Sequence, residues 1–197
     1  MKKCFLNNFY FCNKSHLTIK QSVYNKRHEI KKALAYQVIE KNRDYKSIGI
    51  LIKKRMVFKM KKLDVYLSNL LVGNVKLHNL HWNVVGSSFK QAHEYLEEVY
   101  DDFFGKFDDV AEYQKQVGVY PKSSVKEYLE LTDLEELSDQ DIDLKDAYKE
   151  ALKLIKHMRD MALEIRDEAD DFVLSNMMED HIADYYKRIW FLESAIK

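Results

Sequence analysis

The chain has 197 residues, 32 Lys+Arg against 32 Asp+Glu, one proline, five glycines and two cysteines. That length holds one domain with a sizeable core, and so little proline and glycine amid abundant Leu, Lys, Glu, Asp and Tyr predicts an all-helical protein. Cys4 and Cys12 make no disulfide framework and lack a zinc spacing, so a reducing compartment is expected.

The zero net charge hides a split. Residues 1–59 hold fifteen Lys+Arg against three Asp+Glu, a net of +12, and the remainder holds seventeen against twenty-nine, a net of −12. We read a basic N-terminal extension, 1–59, followed by an acidic domain, 60–197. The extension shows no sustained period beyond a helical reading of about residues 25–40, where Ile30, Leu34, Val38 and Ile39 recur at helical spacing. Its start, Met1-Lys2-Lys3 and an apolar stretch to Cys12, faintly resembles a signal peptide. Asn7 and Asn8 interrupt that stretch and no small-residue cleavage site follows. The longest later apolar run, 48–52, is far too short to span a bilayer. The expectation is a cytoplasmic protein with no membrane partner.

From Met60 the pattern sharpens. Leu63, Leu67, Leu70, Leu71, Asn74, Leu77, His78 and His81 mark one face of a first helix. Gly86 stops it, and Ser88 with Gln91 forms a capping box for a second helix over about 89–116, itself stopped by Gly118 and Pro121. Ser123 and Ser124 cap a short helix at 125–131. A third long helix is expected over about 144–166. A polar junction, 167–171, leads into a fourth whose stripe is Leu174, Met177, Met178, His181, Ile182, Tyr185, Ile189 and Leu192. The long connection from Gly118 to Asp143 lets the second and third long helices run parallel, the ferritin-like way of linking a four-helix bundle, here with a short extra helix between those two.

Metal-ligating residue types recur at helical spacing. His93 and Glu97 are four apart, as are Asp108 and Glu112, so each pair shares a helix face. His81 lies near the end of the first helix, folded towards His93 by the turn at Gly86. Fifteen residues separate His93 from Asp108, roughly 22 Å along a helix axis, whereas a metal–ligand bond is about 2 Å. Either these are two half-sites or they are not a site. A two-fold dimer with antiparallel long helices would bring the His pair of one subunit to the carboxylate pair of the other. Imidazoles and carboxylates with open positions suit Fe(II). A lone His or an i,i+4 carboxylate pair is more often a packed or solvated residue, and it is the matched set that argues for a metal. His78, a turn deeper than His81 on the same face, fits packing or support of a ligand, His157 and His181 fit packing roles, and Trp82 fits either packing or an oxidisable neighbour. No Glu-x-x-His occurs, which argues against an intrasubunit di-iron site of the ordinary kind.

The run Lys76-Leu77-His78-Asn79-Leu80-His81-Trp82-Asn83-Val84-Val85-Gly86, then Phe89, Ala92-His93-Glu94 and Phe107-Asp108-Asp109-Val110-Ala111-Glu112, resembles the Dps family, the DNA-protecting mini-ferritins of starved bacteria. The resemblance covers 60–197, including Trp190-Phe191-Leu192-Glu193. It implies a hollow dodecamer built from two-fold dimers, which oxidises Fe(II), preferably with hydrogen peroxide, and stores ferric mineral. It implies a mono-iron or di-iron site shared between subunits, with His81 and His93 from one and Asp108 and Glu112 from the other. Glu97 stands where many members have Asp, which leaves its role and the second iron open. Asp170 and Asp171 would line pores that admit iron.

The extension departs from that pattern. A +12 segment would bind DNA with strong salt dependence, giving an alternative reading as a nucleoid-associated DNA-binding protein. Yet Met60-Lys61-Lys62-Leu63-Asp64 reads as the natural start of such a protein, and 1–59 as an upstream reading frame. DNA is an expected partner only if residues 1–59 are part of the protein. Three readings therefore stand: a ferroxidase and iron store protecting the cell and DNA from oxidative damage, a DNA-coating protein, and a helical bundle without redox chemistry.

Overall fold

The computed structural model describes residues 26, 27, 30–32, 34 and 45–197, with side chains described in the first group and from Met60 onward. The chain divides into two units, Met1–Arg55 and Met56–Lys197. In the first, residues 26, 27, 30–32 and 34 are helical and exposed, and the rest of the helix read over 25–40, like both cysteines, lies outside the described residues.

Five helices follow: α1 (Tyr45–Asn83), α2 (Phe89–Gln116), the short α3 (Val125–Leu131), α4 (Leu144–Glu168) and α5 (Phe172–Ala195). The sequence marks α2 and α3 to the residue and the ends of α4 and α5 to within two. The first helix is a correction. It begins at Tyr45, not near Met60. A helix already nucleated extends cooperatively, one hydrogen bond per added residue, without needing an apolar stripe, so periodicity underestimates its length.

The capping box at Ser88 is a second correction. Ser88 is the N-cap by position, but its side chain caps nothing. The chain turns there through backbone bonds, Phe89 N–H to the Gly86 carbonyl at 3.2 Å and Ala92 N–H to the Ser88 carbonyl at 3.1 Å. Gly86, at φ +136°, takes a conformation costly for any residue with a Cβ. By contrast Ser124, Asp143 and Asp171 each accept a backbone N–H at the starts of α3, α4 and α5. At the end of α2, Gly118 at φ +82° closes the helix, its N–H on the Lys115 carbonyl and that of Val119 on the Gln114 carbonyl.

One core joins α1, α2, α4 and α5, with Leu63, Leu70, Leu77, Leu96, Phe103, Ile155, Met158, Leu174 and Tyr185 fully buried. Met177 is the only member of the α5 stripe that is half-buried. Gly73 lets the helices approach closely, since a Cβ there would sit 3.1 Å from Phe103 and 3.3 Å from Leu154. Two residue pairs, β1 (Val84–Val85) and β2 (Ile142–Asp143), form a parallel bridge, Val84 opposite Ile142 and Val85 opposite Asp143. No periodic signal marks so short a pairing. It ties the α1–α2 turn to the start of α4. Tyr95 packs on Tyr148, centroids 6.1 Å apart, each within two turns of its helix start. α2 and α4 therefore begin at the same end and run the same way, as the long connection predicts.

Candidate metal centre

His81 sits in the last turn of α1 and His93 in the first turns of α2, on either side of the Gly86 turn. Their rings stack 3.6 Å apart at 21°. Each ring is held by the other's backbone: His81 Nδ1 is 2.8 Å from the His93 carbonyl and His93 Nδ1 is 2.9 Å from the His81 carbonyl. A carbonyl only accepts, so both Nδ1 atoms carry the proton and donate. Both Nε2 lone pairs are left for a metal, the arrangement that fixes tautomer and orientation in imidazole ligands. The ligand atoms of His81, His93 and Glu97 lie within 4.8 Å of one another, the one such grouping among the described residues. His81 is buried, His93 half-buried and Glu97 exposed, so the group opens to solvent on its carboxylate side.

Asp108 and Glu112 lie further along α2, both exposed and outside this group. The structure brings together three of the five residues read from the sequence and keeps two apart, on the helix that the 22 Å argument describes. Phe104, one turn before Asp108, is exposed, as are Val125 and Leu129 on α3. Phe107 joins the two helices, stacking on Phe104 at 6.0 Å and meeting Tyr128 edge-on at 5.6 Å.

The sequence reading gave Asn74 and Phe89 no role at the histidine pair and did not mark Tyr100. Tyr100 stacks on His78 at 3.7 Å and meets His81 edge-on at 5.2 Å. Phe89 leans on His93 at 5.1 Å. Asn74 donates from its amide to the Tyr100 carbonyl at 2.6 Å, and its own carbonyl accepts His78 Nδ1 at 2.9 Å. Loss of solvent around the hydroxyl, then the negative charge of the nearby Glu97, pushes the Tyr100 phenol above its ordinary pKa. One signal was available, the spacing of three from Glu97 to Tyr100 on one helix face. Trp82 is exposed and tilted against His78 at 5.3 Å.

The other histidines are engaged elsewhere. His157 has a carboxylate partner, Asp133 at 3.0 Å, supplied by the long connection and not by its own helix. His181 is buried with Nδ1 3.0 Å from the Tyr66 hydroxyl, which is 2.9 Å from the Tyr185 hydroxyl. Burial, then the nearby Lys106 cation, lowers its pKa to about 3. Beside this trio lies an ion cluster. Lys106 pairs with Asp102 and, at 3.1 Å, with Asp184, and Arg188 reaches Asp184 at 2.7 Å. Asp171 caps α5 and accepts the Tyr113 hydroxyl at 2.6 Å.

A helical bundle with paired imidazoles at one helix turn is a ferritin-like arrangement, and the ferritin-like domain model matches residues 60–197. The DNA protection during starvation protein of Helicobacter pylori is 36% identical over 123 residues, covering 61% of this chain and 85% of that protein. That of Listeria monocytogenes is 30% identical over 136 residues, covering 67% and 87%. Among solved structures, antigen TpF1 of Treponema pallidum superposes with a TM-score of 0.71 at 28% identity, over 73% of this chain and 94% of that one. A Dps protein from Bacillus brevis gives 0.68 at 27%, over 73% and 97%. The chain belongs to the Dps family of ferritin-like proteins. Among the described residues no helix is long and apolar enough to cross a membrane.

Proposed function

We propose that this chain is a ferroxidase and iron-storage protein that takes Fe(II) as substrate and oxidises it with hydrogen peroxide. The observation that carries the reading is the His81–His93 pair, each Nδ1 engaged by a backbone carbonyl and each Nε2 left open beside Glu97. Neutral imidazole and a carboxylate form a donor set suited to Fe(II). Two Fe(II) give two electrons to one peroxide, which takes up two protons and leaves as two waters, so the oxidant is consumed without releasing hydroxyl radical.

Three ligand groups from one subunit leave coordination positions open. We assign the remaining ligands to the partner's Asp108 and the partner's Glu112, across a two-fold axis. The exposed Phe104, one turn before Asp108, and the exposed Val125 and Leu129 on the helix that meets Phe107 support a second copy seated on α2 there. Assembly into a hollow dodecamer that retains ferric mineral, a cytoplasmic location, and pores lined by Asp170 and Asp171 belong to the same proposal. So does the domain division, a catalytic bundle over 60–197 and a basic N-terminal extension over 1–59.

Two variants test the shared site. His81→Ala with His93→Ala, and Asp108→Ala with Glu112→Ala, should each be nearly inactive in ferric absorbance after anaerobic Fe(II) and then peroxide. Co-refolded in equal amounts, about half the dimers are mixed, and each mixed dimer has one intact site. Roughly a quarter of wild-type activity should return, by the symmetry of an isologous interface. No recovery, with mixed dimers confirmed by mass, would sink the shared site.

A DNA-binding role rests on the fifteen basic against three acidic residues of 1–59. The acidic remainder should not shift DNA at physiological salt, and the full chain should, losing the shift as salt rises. Tight DNA binding by a chain starting at Met60 would overturn that charge argument.

A further inference from the structure

We propose that Asn74 is a positioning residue of the metal centre: its side-chain amide fixes the register of α1 against α2, so that His81 and His93 meet face to face. The proposal rests on the metal-centre reading above and names what sets the spacing of its two imidazoles.

His81 and His93 stand on different helices, so their stacking at 3.6 Å depends on how α1 and α2 are set against each other. At the Gly86 turn the helices are tied by the reciprocal ring-to-carbonyl bonds of the pair, at 2.8 and 2.9 Å. A tie at one end lets two helices pivot, and a second tie further along removes that freedom. The second is the Asn74 amide, which donates to the Tyr100 carbonyl at 2.6 Å. Asn74 precedes His81 by seven residues, and Tyr100 follows His93 by seven. The bond therefore crosses the helix pair squarely, two turns or roughly 10 Å from the imidazoles.

Its surroundings suit that role. Beside it, a Cβ at Gly73 would sit 3.1 Å from Phe103, so α1 runs close enough to α2 for a side chain as short as Asn to reach its main chain. The Asn74 carbonyl accepts His78 Nδ1 at 2.9 Å, and the His78 ring lies on Tyr100 at 3.7 Å. Tyr100 in turn presents its edge to His81 at 5.2 Å and 88°. Packing alone does not call for an amide here. Asn74 is only 7% exposed, and Leu has the same branching without a polar group to desolvate. The Tyr100 carbonyl keeps the Phe104 N–H within α2 whether or not Asn74 donates to it. A lone buried Asn between helices specifies register at a cost in stability.

The test is anaerobic Co(II) titration of the full chain, read by visible absorption, beside urea unfolding of the metal-free protein, for wild type, His81→Ala and Asn74→Leu. Asn74→Leu should weaken Co(II) binding about 10-fold, the low end for an outer-sphere partner. Its urea midpoint should be unchanged or higher, because Leu loses the register bond and orphans no buried group. Unchanged affinity, or weaker binding that comes with a lower midpoint, would overturn the proposal and leave the metal centre standing. Unchanged affinity in His81→Ala would overturn both. Should Asn74→Leu fail to fold, Asn74→Ala is read against Tyr66→Phe, which removes hydrogen bonds on the same helix away from the imidazoles. Weaker Co(II) binding in the first and not in the second supports the proposal, and the same affinity in both ends it.

Discussion

Two histidine-bearing regions of this bundle have opposite fates. At the Gly86 turn, His81 and His93 have one nitrogen each on a backbone carbonyl and the other open, next to an exposed carboxylate. On α5, His181 is buried, its Nδ1 on Tyr66, in a layer where Tyr185, Lys106, Asp102, Asp184 and Arg188 satisfy one another. The first region orients donors and leaves them unsatisfied, and the second closes them into a network. Position decides this, because a helix end has room for solvent and a ligand, whereas an unpaired group in a close-packed bundle interior is costly.

The largest expected effect separates the regions outright. His81→Ala with His93→Ala should slow Fe(II) oxidation by at least roughly 100-fold, beyond what outer-sphere partners are worth, a loss that persists in the fraction that stays folded. His181→Ala should leave oxidation by the folded protein nearly unchanged while lowering stability by about 2–4 kcal/mol through a cavity and orphaned hydroxyls. Urea titration and stopped-flow absorbance on the same samples check both. A His181→Ala protein that is stable but inactive would break the contrast.

The closed region also sets a pH dependence. The folded-state pKa of His181 is lowered to about 3 from an unfolded value near 6.5, first by burial and then by Lys106. Protonation therefore favours the unfolded chain. The stability that His181 contributes is present above about pH 6.5 and is lost as pH falls towards about 3, at up to about 1.4 kcal/mol per pH unit. His181→Gln should flatten the acid side of the stability curve. The same slope in both proteins would mean that other groups set it.

A smaller effect probes the hydroxyl chain. Tyr66→Phe should cost about 1–2 kcal/mol, since it leaves both His181 and Tyr185 short of a partner, without altering iron oxidation. The smallest contrast concerns helix starts. Ser124→Ala should cost about 1 kcal/mol, because its side chain accepts the Glu127 N–H at 3.3 Å. Ser88→Ala should cost close to nothing, because the turn beside the paired histidines is made by backbone alone. Equal losses at the two serines would contradict the cap geometry.

Sequence by itself determined the helices apart from the start of the first, their order, the parallel return across the long connection and the nearness of His81 to His93. Those features rest on local rules, a 3.6-residue period, glycine at positive φ, and a turn short enough to bring helix ends together. It also placed Glu97 one turn from His93, which is where the structure keeps it. Only the tertiary structure decided which histidines were engaged elsewhere. His157 meets Asp133, 24 residues away, and His181 meets Tyr66, 115 residues away, distances over which no helical spacing carries information. It alone placed Tyr100 against both His78 and His81, and it alone set the bridge between Val84 and Ile142. The reason is physical. Spacing fixes which residues share a helix face, whereas the partner that a face meets is fixed by how whole helices pack.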